Sequence, residues 1–157
     1  MILNQQRQVK VSIAGLENFS TKVRRILRIP AGALTICLVR NAEIAKWNRL
    51  YRGKNRPTDV LSFATDEPHS KQRIRKLSGK RATFAPRPGS SPRYLGDIAI
   101  APAVARQNAR RLGREFDAEM RILILHGILH LMGYDHEADQ GQMDRREMSL
   151  RRHLGLV

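Results

Sequence analysis

The sequence predicts an α+β fold, a single compact domain in which a small mixed β-sheet packs with helices around a central buried helix. Three observations carry this expectation. Short segments of alternating hydrophobicity are interspersed with segments of helical period, and no internal repeat is present. The segment from Phe116 to Met132 is apolar nearly all round after its first turn, as a helix enclosed by other elements must be. A chain of 157 residues, 41% of them hydrophobic, suffices for one core and is too short for two domains.

The elements follow in order. Val9, Val11 and Ile13 alternate with polar residues and read as a half-buried strand. Phe19, Val23, Ile26 and Leu27 then recur at helical spacing until Pro30 stops the helix. A second strand, ALTICLVR, occupies about 33–40. Asn41 is placed to cap the next helix, whose inward stripe is Ile44, Trp47 and Leu50 or Tyr51. After the loop RGKNRPT comes the short strand DVLSFA, and a further strand, GDIAIA, starts at Gly96. Pro102 sits where proline opens a helix, and Gly113 ends that helix. The long apolar helix follows, then the loop GYDHEADQ and a final polar helix reaching Leu154.

Residues 66–94 differ in character. Four prolines, two glycines and several serines sit among eight cations, against Asp66 and Glu67, leaving the stretch at +6. It is expected to be a mobile basic insertion.

The charge points to a polyanionic partner. Lys and Arg number 29 against 14 Asp and Glu, for a net +15, and 22 of the cations are arginine, whose planar fork grips phosphate in two places. Nucleic acid is favoured over an anionic membrane, because no amphipathic basic helix stands apart from the fold. No run of eighteen apolar residues is present, and polar residues break up the first fifteen positions where a secretory signal needs a continuous apolar stretch. The lone Cys37 cannot form an internal disulfide or a cysteine-based zinc knuckle and reads as a small buried hydrophobe. A cytoplasmic protein without a membrane partner is expected.

The strongest motif closes the buried helix. Three of the five histidines, His126, His130 and His136, fall within eleven residues. Positions four apart share a helix face, so His126 and His130 can aim their imidazoles at one point. Gly133 can take the left-handed conformation that ends a helix and returns the chain, so that His136 becomes a third ligand. Two imidazoles on one face of an apolar helix each need a buried partner, and a shared metal supplies it. Three histidines with an open fourth position describe a catalytic zinc site, one ion per chain, with Zn–N bonds of about 2.0–2.1 Å.

The spacing equals that of the metzincin pattern HExxHxxGxxH, except that Gly127 stands where the glutamate general base would be. Zinc ligation survives that change and peptidase chemistry does not. Trp47 reads as core, and with 5% aromatics no base-stacking platform is evident. His69 and His153 read as surface residues. Asp97 reads equally as a turn residue or a cleft acid.

HGILHLMGYDH resembles the HGxLHLxGYDH signature of the YbeY family, single-domain metal-dependent endoribonucleases implicated in ribosomal RNA maturation and ribosome quality control. The block from Tyr51 to Phe63, YRGKNRPTDVLSF, is similar to that family's YRGKDKPTDVLSFP, and Leu95 to Ile98 matches its LGDI element. The departures are Asn55 and Arg56 in place of Asp and Lys, Ala64 in place of proline, and the basic insertion. The resemblance implies that His126, His130 and His136 bind zinc. It also implies that Arg52 lies in the cleft near the metal as a catalytic residue, with Arg52, Lys54 and Arg56 contacting RNA.

The resemblance implies single-stranded ribosomal RNA, in a precursor or a ribosomal subunit, as substrate, with a ribosomal protein or accessory factor as a further partner. A three-histidine zinc can polarise a phosphoryl oxygen or lower the pKa of its water, and an arginine can hold the other phosphate oxygens. Asp135, beside the third ligand, is expected to orient a histidine or a water from behind the metal. No general base is evident, and the nucleophile is equally a water or the substrate's 2′-hydroxyl. The competing reading is a non-enzymatic RNA-binding ribosome assembly factor with a structural metal.

Overall fold

Strand β1 (Ile2–Asn4), helix α1 (Ile13–Ile26), strand β2 (Leu34–Leu38), helix α2 (Asn41–Arg52) and strand β3 (Val60–Ala64) form the first half of the computed structural model. Strand β4 (Gly96–Ile100) and helices α3 (Pro102–Arg111), α4 (Phe116–Leu131) and α5 (Gln142–Leu154) form the second. The structure describes residues 1–65, 94–134 and 140–157. The expected insertion at 66–94 therefore lies outside the described residues but for Tyr94, as do Asp135 and His136.

The mixed sheet expected from the sequence is present, with strand order β1-β2-β4-β3. β1, β2 and β4 run parallel, Ile2 facing Ile36 and Leu38 facing Ile100. β3 is an edge strand antiparallel to β4, with Val60 opposite Ile100 and Ala64 opposite Gly96. Alternation along the strands divides the core in two. Leu34, Ile36, Leu38, Ile98 and Ile100 face α1, α4 and α5. Cys37, Val39, Leu61, Phe63 and Ala99 face α2, where Trp47 meets Phe63 edge-on with ring centroids 6.1 Å apart. The sheet thus has helices on both faces, and α4 lies against it with Ile124, Leu125, Ile128 and Leu129 all fully buried.

The first expected strand is not a strand. Val9 is buried off the sheet, and its backbone groups are met by a side chain: Gln6 Nε2 donates to its carbonyl and its N–H donates to Gln6 Oε1, both at 2.9 Å. Ile13 begins α1, with Ser12 as the cap. Three alternating residues do not define a strand when a glutamine can take the place of the neighbouring strand. The edge strand comes instead from Ile2–Asn4.

At α2 one local expectation changes and an alternative is decided. Arg40 is the N-cap and Asn41 the first helical residue, because the Glu43 carboxylate accepts the Arg40 backbone N–H at 3.2 Å. In the inward stripe Leu50 is exposed, Tyr51 is half-buried and Asn48 is buried. Part of the cation excess has a local use: Arg24 and Arg25, Arg110 and Arg111, and Arg151 and Arg152 occupy last turns, where the helix dipole favours positive charge.

Candidate functional site

Helix α4 positions the site. Its burial is interrupted on the outward side at His126 and His130, each half-buried between fully enclosed neighbours. The two Nε2 atoms lie 3.1 Å apart, with ring centroids 4.6 Å apart and planes at 75°. Nitrogens this close share either a proton or a cation. Two zinc–nitrogen bonds diverging tetrahedrally would set their nitrogens about 3.3 Å apart, so this pair suits such an ion with little adjustment.

The helix ends as the motif requires. Gly133 has φ +92°, its N–H donates to the His130 carbonyl at 3.0 Å, and the Tyr134 N–H donates to the Leu129 carbonyl at 3.2 Å. These two bonds form a Schellman closure, which turns the chain immediately before 135–139. His136 and Asp135 fall in that segment, outside the described residues. Among the described residues no third His, Cys, Asp or Glu joins the pair in a metal-binding group.

Gly127 faces away from the histidines. A Cβ there would lie 2.8 Å from Ile98 Cγ2 in the sheet. The position at which a metzincin carries its general base is thus closed by β4, and a glutamate would point into the core.

Sequence reasoning missed the residue behind His126. Nδ1 of that ring donates to Glu147 Oε2 at 2.8 Å, and the other Glu147 oxygen accepts from Arg151. Glu147 is buried. Burial pushes its carboxyl up, but the hydrogen bond and charge of His126 together with Arg151 outweigh this and hold it below the usual carboxylate range. A sequence signal did exist: Met143, Glu147 and Leu150 form the buried stripe of α5, so a glutamate stands where an apolar residue belongs.

Arg52 is the last residue of α2, Lys54 and Arg56 follow in the segment leading to β3, and all three residues are exposed. Their loop is tied down by Asn48 Nδ2 donating to the Arg56 carbonyl at 2.9 Å. The two faces meet across the edge strand: Tyr51 packs on Phe63 at 5.3 Å, and the neighbouring Ser62 Oγ donates to the Gly127 carbonyl at 3.3 Å. The described residues thus bring His126 and His130 together and leave the three cations at the end of α2 and in the segment that leads to β3.

The remaining polar residues resolve simply. Asp97 is a strand residue, accepting from the Tyr94 hydroxyl at 2.6 Å, and the same hydroxyl lies 2.8 Å from Thr35 Oγ1. Burial pushes the Asp97 carboxyl above its ordinary value, and the Tyr94 hydrogen bond offsets part of this. Cys37 is buried, its thiol pushed up to about 12 by desolvation and by the neighbouring Asp97 charge. His153 is exposed, and His69 lies outside the described residues.

Among the described residues, a four-stranded mixed sheet with helices on both faces and an outward histidine pair on its buried helix defines a single-domain α+β protein of a recognisable kind. The solution structure of TM1509 from Thermotoga maritima is similar, with a TM-score of 0.53 and 28% identity over 95% of this chain and 85% of that one. The family model described as Endoribonuclease YbeY matches residues 1–155. An Endoribonuclease YbeY of Roseiflexus castenholzii is 40% identical over 126 residues, 78% of this chain and 70% of the relative. Another, of Koribacter versatilis, is 35% identical over 156 residues, 99% of this chain and 86% of the relative. The chain belongs to the YbeY endoribonuclease family.

Proposed function

We propose that this chain is a zinc-dependent, single-strand-specific endoribonuclease acting in ribosomal RNA maturation and ribosome quality control. Family membership supports the ribonuclease activity. The observation that carries the metal dependence is the convergence of His126 and His130 Nε2 at 3.1 Å on the open side of α4. His126, His130 and His136 would hold the ion, and Asp135 would orient a ligand or a water beside it. When bound, the ion supplies Lewis acidity toward a phosphoryl oxygen and a more acidic water.

The chain's own residues supply the rest. Arg52, exposed at the end of α2, takes the non-bridging phosphate oxygens in a fork and offsets the negative charge that grows at phosphorus. Lys54 and Arg56 extend that grip to neighbouring phosphates without reading bases. A net charge of +15 draws the polyanion in. The partners in this reading are precursor ribosomal RNA or a ribosomal subunit in the cytoplasm, with a ribosomal protein or accessory factor. No described helix is long and apolar enough to cross a membrane.

The test is metal analysis of the purified protein together with single-turnover cleavage of a structured RNA by wild type and His126→Ala. The expected result is one zinc per wild-type chain, cleavage confined to unpaired segments, and loss of both zinc and cleavage in the variant. RNA binding with a retained metal and no cleavage would replace the enzyme with an assembly factor.

A further inference from the structure

Glu147 belongs to no part of the motif that brings the histidines together, and it touches the far side of a histidine ring. Its Oε2 lies 2.8 Å from His126 Nδ1, while His126 Nε2 is the atom that meets His130. Glu147 is thus not a third ligand, because the imidazole stands between it and the converging nitrogens. Its other oxygen is held by Arg151, one turn further along α5, and the side chains of both residues are largely buried. A carboxylate fixed by a guanidinium only accepts hydrogen bonds, so the proton of a neutral His126 sits on Nδ1 and the lone pair is left on Nε2.

We infer that Glu147 is the positioning residue of the histidine pair, holding His126 in the Nδ1–H tautomer with its Nε2 lone pair turned toward His130, and that Arg151 holds Glu147 in place. The inference rests on the zinc reading above and adds to it the residue that sets the ring. Free imidazole rotates and exchanges tautomers, so a fixed acceptor behind the ring removes that freedom before any ion arrives and makes the coordinating nitrogen more basic. α5 acquires a purpose by this route. It is a basic helix whose buried stripe of Met143 and Leu150 carries one carboxylate toward α4.

The discriminating variant is Glu147→Gln, which keeps shape and volume. Arg151 has only donors and keeps the amide oxygen on its own side, so the NH2 faces His126 Nδ1 and demands the opposite tautomer. Two measurements decide the matter: zinc affinity by competition with a chromophoric chelator, and the imidazole 15N spectrum of the metal-free protein in alkaline buffer. Expected are an Nδ1–H signal for His126 in wild type, an Nε2–H signal in Glu147→Gln, and zinc affinity lowered about 10- to 100-fold. Unchanged affinity in the variant overturns the inference. So does an Nε2–H tautomer in wild type, a result that requires no variant to fold. Failure of wild type to bind zinc would sink the metal reading instead, and the wild-type tautomer would still decide whether Glu147 sets the ring.

Discussion

His126 and Glu147 are joined at 2.8 Å across 21 residues of sequence, tying the outward face of α4 to the buried stripe of α5. The contact puts a carboxylate behind the His126 half of the histidine pair. What the two rings do together is accessible to direct tests.

Zinc should stabilise the folded chain only while both imidazoles are present. At a free concentration a hundred times the dissociation constant, a ligand that binds only the native state adds about 2.7 kcal/mol, which raises the melting temperature of a domain this size by roughly 5–10 °C. His130→Ala is expected to fold, since its ring is half-buried, and to lose that rise. An equal rise in the variant would remove His130 from the ligand set. Thermal scans with and without zinc make the comparison.

Arg52→Ala should separate phosphate stabilisation from folding. The side chain is exposed, so melting temperature and zinc content should stay at wild-type values. Cleavage should fall by on the order of a hundredfold. Single-turnover kinetics would show the loss in the rate at saturating enzyme; a loss confined to RNA affinity would make Arg52 a binding residue only.

Gly127→Ala tests the close approach of α4 to the sheet. Alanine favours a helix over glycine by about 1 kcal/mol. Here its methyl would sit 2.8 Å from Cγ2 and 3.0 Å from Cδ1 of the fully buried Ile98. Overpacking of that kind costs about 1–3 kcal/mol, so a net loss of about 1 kcal/mol is expected in urea denaturation. A stabilised variant would mean that Ile98 yields.

Asp97 should make stability fall as pH rises. Its folded pKa lies above the ordinary 3.8, chiefly through burial. Below that value the carboxyl is protonated in both states and contributes nothing. As pH climbs from 3.8 toward the raised folded value, the unfolded chain releases its proton first and is favoured, and the loss persists above the window. Asp97→Asn does not titrate there. Its stability relative to wild type should therefore improve between acid and neutral pH, and a difference that stays flat across a urea series at several pH values would contradict this.

Much of the site is written in local periodicity. The four-residue spacing of His126 and His130 puts them on one face of any α-helix, and the unbroken apolarity of Phe116 to Met132 makes that helix a buried one. Gly133 as the terminator follows from the same local rule, because few other residues take φ +92° without strain. The short alternation at Val9 to Ile13 carried too little period to distinguish a strand from a loop. A single glutamine contact, invisible in any pattern, satisfied the backbone there instead.

By itself, then, the sequence determined the helices, the pairing of two histidines along one of them, the turn that follows and the excess of arginine, because each depends on chain geometry within a few residues. Only the tertiary structure decided the strand order β1-β2-β4-β3, the placing of α2 across the sheet from α4, the closing of Gly127 by Ile98, and the meeting of Glu147 with His126. Those contacts join residues far apart in the chain. They are set by how apolar faces of different elements pack against one another, which no spacing within one element specifies.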